Sequence, residues 1–140
     1  LPNIYYLGSK SYAELPAYLA GWNVAMMPFA LNESTRYISP TKTPEYLAGG
    51  VPVISTAIQD VIDPYEKNGL VYIGHSPQDF IEGIEQQLNR KARKKWLHTV
   101  DSFLENNSWD NTADKMLERI RQQLQKKNKS KFQKKENAYV

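Results

Sequence analysis

Four short apolar runs punctuate the first half of the chain, at residues 4–7, 24–27, 51–55 and 70–73. Each is rich in branched or aromatic side chains and bounded by Gly, Pro or Asn, which predicts strands. The runs at 24–27 and 51–55 lack polar alternation, as expected of parallel strands covered on both faces. Helical patterns fill the gaps. Ser11 and Glu14 have the spacing of a capping box, in which the two side chains satisfy free amides reciprocally. Pro16 sits too deep for one regular helix begun at Ser11, so a turn followed by a helix over 16–21 is predicted. The next helix runs over 42–48 and closes at Gly49-Gly50, where glycine permits the left-handed conformation.

From Pro77 the pattern is helical throughout. Phe80, Ile81, Ile84 and Leu88 form one apolar stripe, and Trp96, Val100, Phe103 and Leu104 another. Ser108 or Asp110 is expected to cap a last helix with Ala113, Leu117, Ile120 and Leu124 facing inward. After Gln125 the sequence KKNKSKFQKKENAYV has too little apolar surface to offset the entropy of ordering. The expected organisation is an ordered domain over 1–125 and a basic, disordered tail over 126–140. Strands alternating with helices imply an α/β fold with a parallel sheet flanked by helices. Ligands in such folds bind beyond the C-terminal strand ends. The longest loop there is 29–40, between the strand at 24–27 and the helix at 42–48, so the chemistry is sought at that place.

Composition narrows the chemistry. The chain has 140 residues, 41% hydrophobic and 24% charged, as in a soluble globular domain. It has no cysteine, which excludes disulfides, Cys-ligated zinc and a thiol nucleophile. His75 and His98 are far apart in sequence, which argues against a histidine-rich metal site. No apolar run approaches the roughly 20 residues of a membrane span. The first residues, LPNIYY, have neither a signal-peptide pattern nor an initiator Met, so an excised fragment is one expectation. The net charge of +3 hides an asymmetry: six Lys and one Glu after Gln125 give +5, leaving −2 on the rest. A body without excess positive charge does not suggest nucleic acid.

The start of the helix at 42–48 carries the candidate chemistry. With Thr41 as N-cap, Pro44 falls at the third helical position, where its missing amide costs little. Lys42 is then a cation at the positive end of the helix dipole, the unfavourable sign. A bound anion reverses that argument. Free amides, the Ser39, Thr41 and Thr43 hydroxyls and the Lys42 ammonium would together form a phosphate site. Glu45, one turn along, could accept hydrogen bonds from ribose hydroxyls. The plain alternatives are a solvated Lys42 and a Lys42–Glu45 pair three residues apart on one helix.

The segment SPTKTPEYLAGGVPVIST resembles the donor-binding helix and following strand of GT-B glycosyltransferases of the group 1 type. Pro40, Lys42, Glu45, Tyr46, Leu47, Ala48, Gly50, Pro52 and Val53 carry the match. NIYYLGSKSYAELPAYLAGWNVAMMPF is similar to the family's preceding strand, helix and strand. ENNSWDNTADKMLERI is similar to its closing helices, where a Ser-Trp commonly begins the last one. The resemblance covers residues 2–125. It implies the C-terminal, Rossmann-like half of a GT-B fold, lacking its first two strands and ending in two or three helices. It also implies a hexosyltransferase-like enzyme of polysaccharide or glycoconjugate biosynthesis, bacterial, with a UDP- or GDP-sugar as substrate and no cofactor or metal. Glu45 would bind the ribose, Lys42 the diphosphate, and the Tyr6-Leu7-Gly8 segment would lie near the base.

The chain departs from the family at Tyr37, where many members carry a second Glu eight residues before the one matched by Glu45. Tyr37 and Arg36 are the residues present there, with Arg36 a candidate for the diphosphate against the reading of a solvated loop arginine. No catalytic residue is assigned. The missing strands would lie between those at 4–7 and 24–27. The chain is therefore expected to pair these two strands directly or to complete its sheet with the absent N-terminal domain or another chain, and to be inactive alone. Rival readings are a GT-B nucleotide-sugar epimerase and a non-catalytic interaction or membrane-contact module. The expected location is cytoplasmic, with peripheral contact at the inner face of the plasma membrane through the basic tail.

Overall fold

The computed structural model describes residues 1–105 and 107–136, with side chains through 127. They form two compact units, 1–102 and 103–140. In the first unit a 3₁₀ turn at Tyr12–Glu14 leads into α1, Leu15–Ala20. Strand β1, Ala25–Met27, is followed by α2, Lys42–Ala48, and β2, Val53–Ser55. Helix α3, Gln59–Val61, runs into a kinked turn, Ile62–Glu66, with extended backbone at Asp63, before β3, Val71–Ile73. Then come α4, Pro77–Leu88, and α5, Arg93–Glu105, whose last turn belongs to the second unit with α6, Trp109–Glu136.

The strands form one parallel sheet in the order β1-β2-β3, with Ala25 opposite Val53 and Val53 opposite Val71. All three residues of β2 are buried, as the unbroken apolar run predicts for a central strand. β1 buries Ala25 and Met27 and leaves Met26 exposed. Helices α2 and α4 pack on this sheet, and Leu47 of α2, Ile58 and Val61 around α3, and Trp96 and Val100 of α5 are all buried. Burying an aliphatic side chain of this size contributes about 1.5–3 kcal/mol. Arg93 ties the start of α5 to the end of α2 by donating to the Gly50 carbonyl at 3.0 Å. Gly50 has φ +70°, the conformation for which a glycine was expected there.

Three sequence expectations need correction. The run at 4–7 is not a strand: Ile4, Tyr5, Tyr6 and Leu7 are 48–95% exposed and pair with no strand. Its residues suit a strand, but among the described residues β1 pairs only with β2 and its other edge stays open, so strand-like composition does not by itself bring residues 4–7 to it. Direct pairing of 4–7 with β1 is therefore not what the chain does. Second, α4 turns Gly83 and Gln87 inward, leaving Ile81 and Leu88 exposed. Gly83 lets the helix approach Tyr72 of β3, whose ring carbons lie 2.6 and 2.8 Å from where a Gly83 Cβ would stand. Third, in the second unit Ser108 caps α6 by accepting from the Asn111 amide at 3.1 Å, yet Leu117, Ile120 and Leu124 are exposed.

The helix α6 also continues to Glu136 through part of the segment expected to be disordered. Lys and Gln are good helix formers, so local propensity favours helix even where no apolar stripe demands it. Residues 137–140 of that segment lie outside the described residues.

Candidate functional site

Helix α2 is placed by its inner face. Thr43 and Leu47, one turn apart, are both buried, and Thr43 Oγ1 donates to the Met27 sulfur at 3.9 Å. That orientation turns Lys42 and Glu45 outward. The start of the helix is as the Pro44 argument required, with Thr41 in the N-cap position, but its side chain makes no capping hydrogen bond. The Thr43 amide donates to the Pro40 carbonyl at 3.1 Å, and Pro44 has no amide to offer. The helix start therefore presents fewer free amides than the sequence suggested, and its positive charge rests mainly on the Lys42 ammonium.

Lys42 donates to Glu45 Oε2 at 2.7 Å, with the two side chains 49% and 40% exposed. This hydrogen bond, with the negative charge of Glu45 behind it, holds the Lys42 pKa above its ordinary value. The pair lies on the wall of a cavity of about 610 Å³. Leu7, Gly8, Lys10 and Tyr12 form a second wall. Leu15, Tyr18, Leu19 and Trp22, from α1 and the turn after it, form a third, with Tyr46, Ala48 and Gly49 continuing along α2. The cavity is thus largely apolar and aromatic with a charged pair on one side, and its volume is in the range of small-molecule sites.

Local structure explains this arrangement. Glu14 accepts from the Ser11 amide at 2.9 Å and the Ser11 hydroxyl at 2.6 Å, which fixes the entry to α1. These bonds hold the Glu14 carboxyl below the usual range. Gly8 adopts φ +68°, turning the chain from residues 4–7 toward α1. Trp22 meets the Tyr46 ring edge-on at 5.8 Å, and Lys10 Nζ stands 5.4 Å over the Tyr18 ring. Gly49 lets α1 come close: a Cβ there would meet Leu19 Cδ2 at 2.6 Å.

The candidate residues divide accordingly. Gly8, Lys42 and Glu45 line the same cavity. Thr43 is buried against Met27, so its hydroxyl is turned away from any ligand in that cavity. Ser39 and Thr41 are exposed and do not line it. Arg36 lines a separate, more polar cleft of about 400 Å³ with Asn32, Glu33 and Gln59, where the loops after β1 and β2 meet. Its guanidinium lies 5.3 Å from the centre of the exposed Tyr37 ring. Sequence reasoning missed Lys10, Tyr12, Tyr18 and Trp22. The aromatic density of residues 12–22 was the available signal, but without a partner strand nothing indicated that this segment would face α2.

No group of three or more His, Cys, Asp or Glu side chains suited to a metal occurs among the described residues. No helix among them is long and apolar enough to cross a membrane. A family model described as glycosyl transferases group 1 matches residues 1–90. The chain is also similar to a Bacillus subtilis (strain 168) protein that carries the provisional name teichuronic acid biosynthesis glycosyltransferase TuaH, with 24% identity over 111 residues. That alignment covers 79% of this chain and 28% of the relative, so the chain spans little more than a quarter of the relative's length. No solved structure matches the chain.

Proposed function

The chain belongs to the glycosyl transferases group 1 family, and from that premise we propose that the cavity beside α2 receives the nucleotide of a UDP- or GDP-sugar whose sugar passes to an acceptor hydroxyl. One observation carries the reading: Lys42, Glu45 and Gly8 converge with four aromatic side chains on a single cavity of about 610 Å³. A nucleoside diphosphate matches that composition. Its base is a flat group suited to aromatic and apolar walls. Its ribose offers hydroxyls to the Glu45 carboxylate, and its diphosphate offers oxygens to Lys42 through charge-assisted hydrogen bonds.

The Lys42–Glu45 pair does not oppose this role. An ion pair this exposed is worth about 0–1 kcal/mol, so exchanging it for ligand contacts costs little. In the transfer the bond between the sugar's anomeric carbon and the diphosphate oxygen breaks, and its electron pair leaves with the diphosphate. The acceptor oxygen bonds to the anomeric carbon and gives up its proton. Lys42 acts on the leaving group by stabilising the developing negative charge, and the reading requires no metal for that. The acceptor site and proton acceptor are assigned to parts of a longer protein, as is completion of the sheet beyond β1. The name of the relative places it in teichuronic acid biosynthesis, and a polymer or glycoconjugate acceptor is proposed here by analogy.

Thermal unfolding in the presence of UDP and GDP tests the donor site. Either nucleotide at 100 times its dissociation constant should add about 2.7 kcal/mol to stability. A folded sample that neither nucleotide stabilises overturns the proposal.

A further inference from the structure

The longest helix carries an apolar face that the donor site does not use. Trp109, Met116, Leu117, Ile120 and Leu124 of α6 are 47–86% exposed. At 3.6 residues per turn they fall with Ala113 in one sector of about 100°, the width of the buried stripe of an amphipathic helix. Lys115, Arg119, Arg121 and Lys126 fall outside that sector. The cationic excess follows the stripe: residues 109–124 hold three Lys or Arg and three Asp or Glu, whereas residues 126–136 hold six Lys and one Glu.

We propose that α6 lies on an anionic phospholipid surface, with the stripe from Trp109 to Leu124 inserted at the boundary of headgroups and acyl chains. A helix with an apolar face, low overall hydrophobicity and many cations has the composition of an interfacial helix. Trp109, at the start of the helix, has the amphipathic ring favoured at that depth. The following lysines are attracted by the negative surface potential of such a leaflet. Pairing with a second copy fits less well. The stripe spans about two heptads, short for a coiled coil, and the next positions of its register, 127 and 131, are both lysine. A nucleic acid would engage the cations but leave the apolar stripe without a role. The proposal is independent of the nucleotide reading.

The test is co-sedimentation of the whole chain with phosphatidylcholine vesicles, with and without about 30% phosphatidylglycerol. Binding should be at least about tenfold tighter to the anionic vesicles and fall steeply in about 0.5 M salt. The vesicles should shift Trp109 emission to the blue, a shift absent from Trp109→Phe. Ile120→Ser with Leu124→Ser should weaken binding about tenfold without altering the melting temperature, because both side chains are already exposed. Equal binding to neutral and anionic vesicles, or none to either, overturns the proposal. Undiminished binding by the double variant overturns insertion of the stripe. A lowered melting temperature, or a dimer that the double variant dissociates, overturns it by showing that protein covers the stripe.

Discussion

Replacing Lys42 with Met separates a binding lysine from a structural one. The substitution keeps the apolar stem and removes the charge. Two terms bear on stability. The pair with Glu45, at 2.7 Å but 49% and 40% exposed, is worth about 0–1 kcal/mol. Against it, Lys42 is the first residue of α2, where a cation opposes the helix dipole by about 0.3–1 kcal/mol. The terms nearly cancel, so Lys42→Met should change unfolding free energy by less than about 0.5 kcal/mol. Its raised pKa does not alter this near neutrality. A raised lysine pKa contributes stability that is complete below the ordinary value of about 10.5 and lost only as pH rises through the folded value. Binding should respond differently. A hydrogen bond to a charged group contributes about 1.5–3 kcal/mol, so the UDP or GDP dissociation constant should rise roughly 10- to 150-fold. Urea unfolding and titration calorimetry on the same preparations measure both quantities. A stability loss above about 1.5 kcal/mol would make the pair structural, and an unchanged dissociation constant would remove Lys42 from the donor site.

Other predictions concern the frame that holds the site. Gly83→Ala should gain about 1 kcal/mol of helix propensity and lose about 1–3 kcal/mol to overlap with Tyr72, for a net loss of up to about 2 kcal/mol. In a Tyr72→Ala background the same change should become stabilising; additive effects in chemical unfolding would refute the contact. Asp79 accepts from the His75 and Ser76 amides at 2.8 and 3.1 Å, which holds its pKa below the usual range, the His75 bond foremost. A depressed carboxyl contributes stability that is present above its unfolded pKa and lost as pH falls through the folded one. Stability should therefore decline as pH drops below about 4, and Asp79→Asn should flatten that part of the curve. An unchanged acid limb would show that the cap does not contribute to it.

What the sequence made legible follows from how local each determinant is. The strands at 25–27, 53–55 and 71–73 lie within apolar runs, and their burial against helices is what those runs require. The limits of α2 follow from Pro44 at one end and Gly49-Gly50 at the other, both backbone constraints that act within a few residues. Residues 4–7 are as strand-like in composition, but pairing is not local, and among the described residues they do not reach the open edge of β1. The face of a helix is also a tertiary matter. Gly83 allows the close approach that turns Ile81 outward, a contact visible only once Tyr72 stands opposite. At the site, Lys42 and Glu45 follow from position on one helix. The inward turn of Thr43 depends on Met27, sixteen residues earlier, and Arg36 belongs to a different cleft because its loop meets the one after β2.

Under the proposed function a nucleotide binds in the cavity between residues 7–22 and α2. Backbone amide NMR of the whole chain during titration with UDP and with GDP tests its location directly. On that reading, saturable shifts are expected at Gly8, Tyr12, Lys42 and Glu45, with midpoints roughly 10- to 150-fold higher in Lys42→Met. Shifts confined to the cleft around Asn32, Arg36 and Gln59, or no saturable shift with either nucleotide, would contradict it.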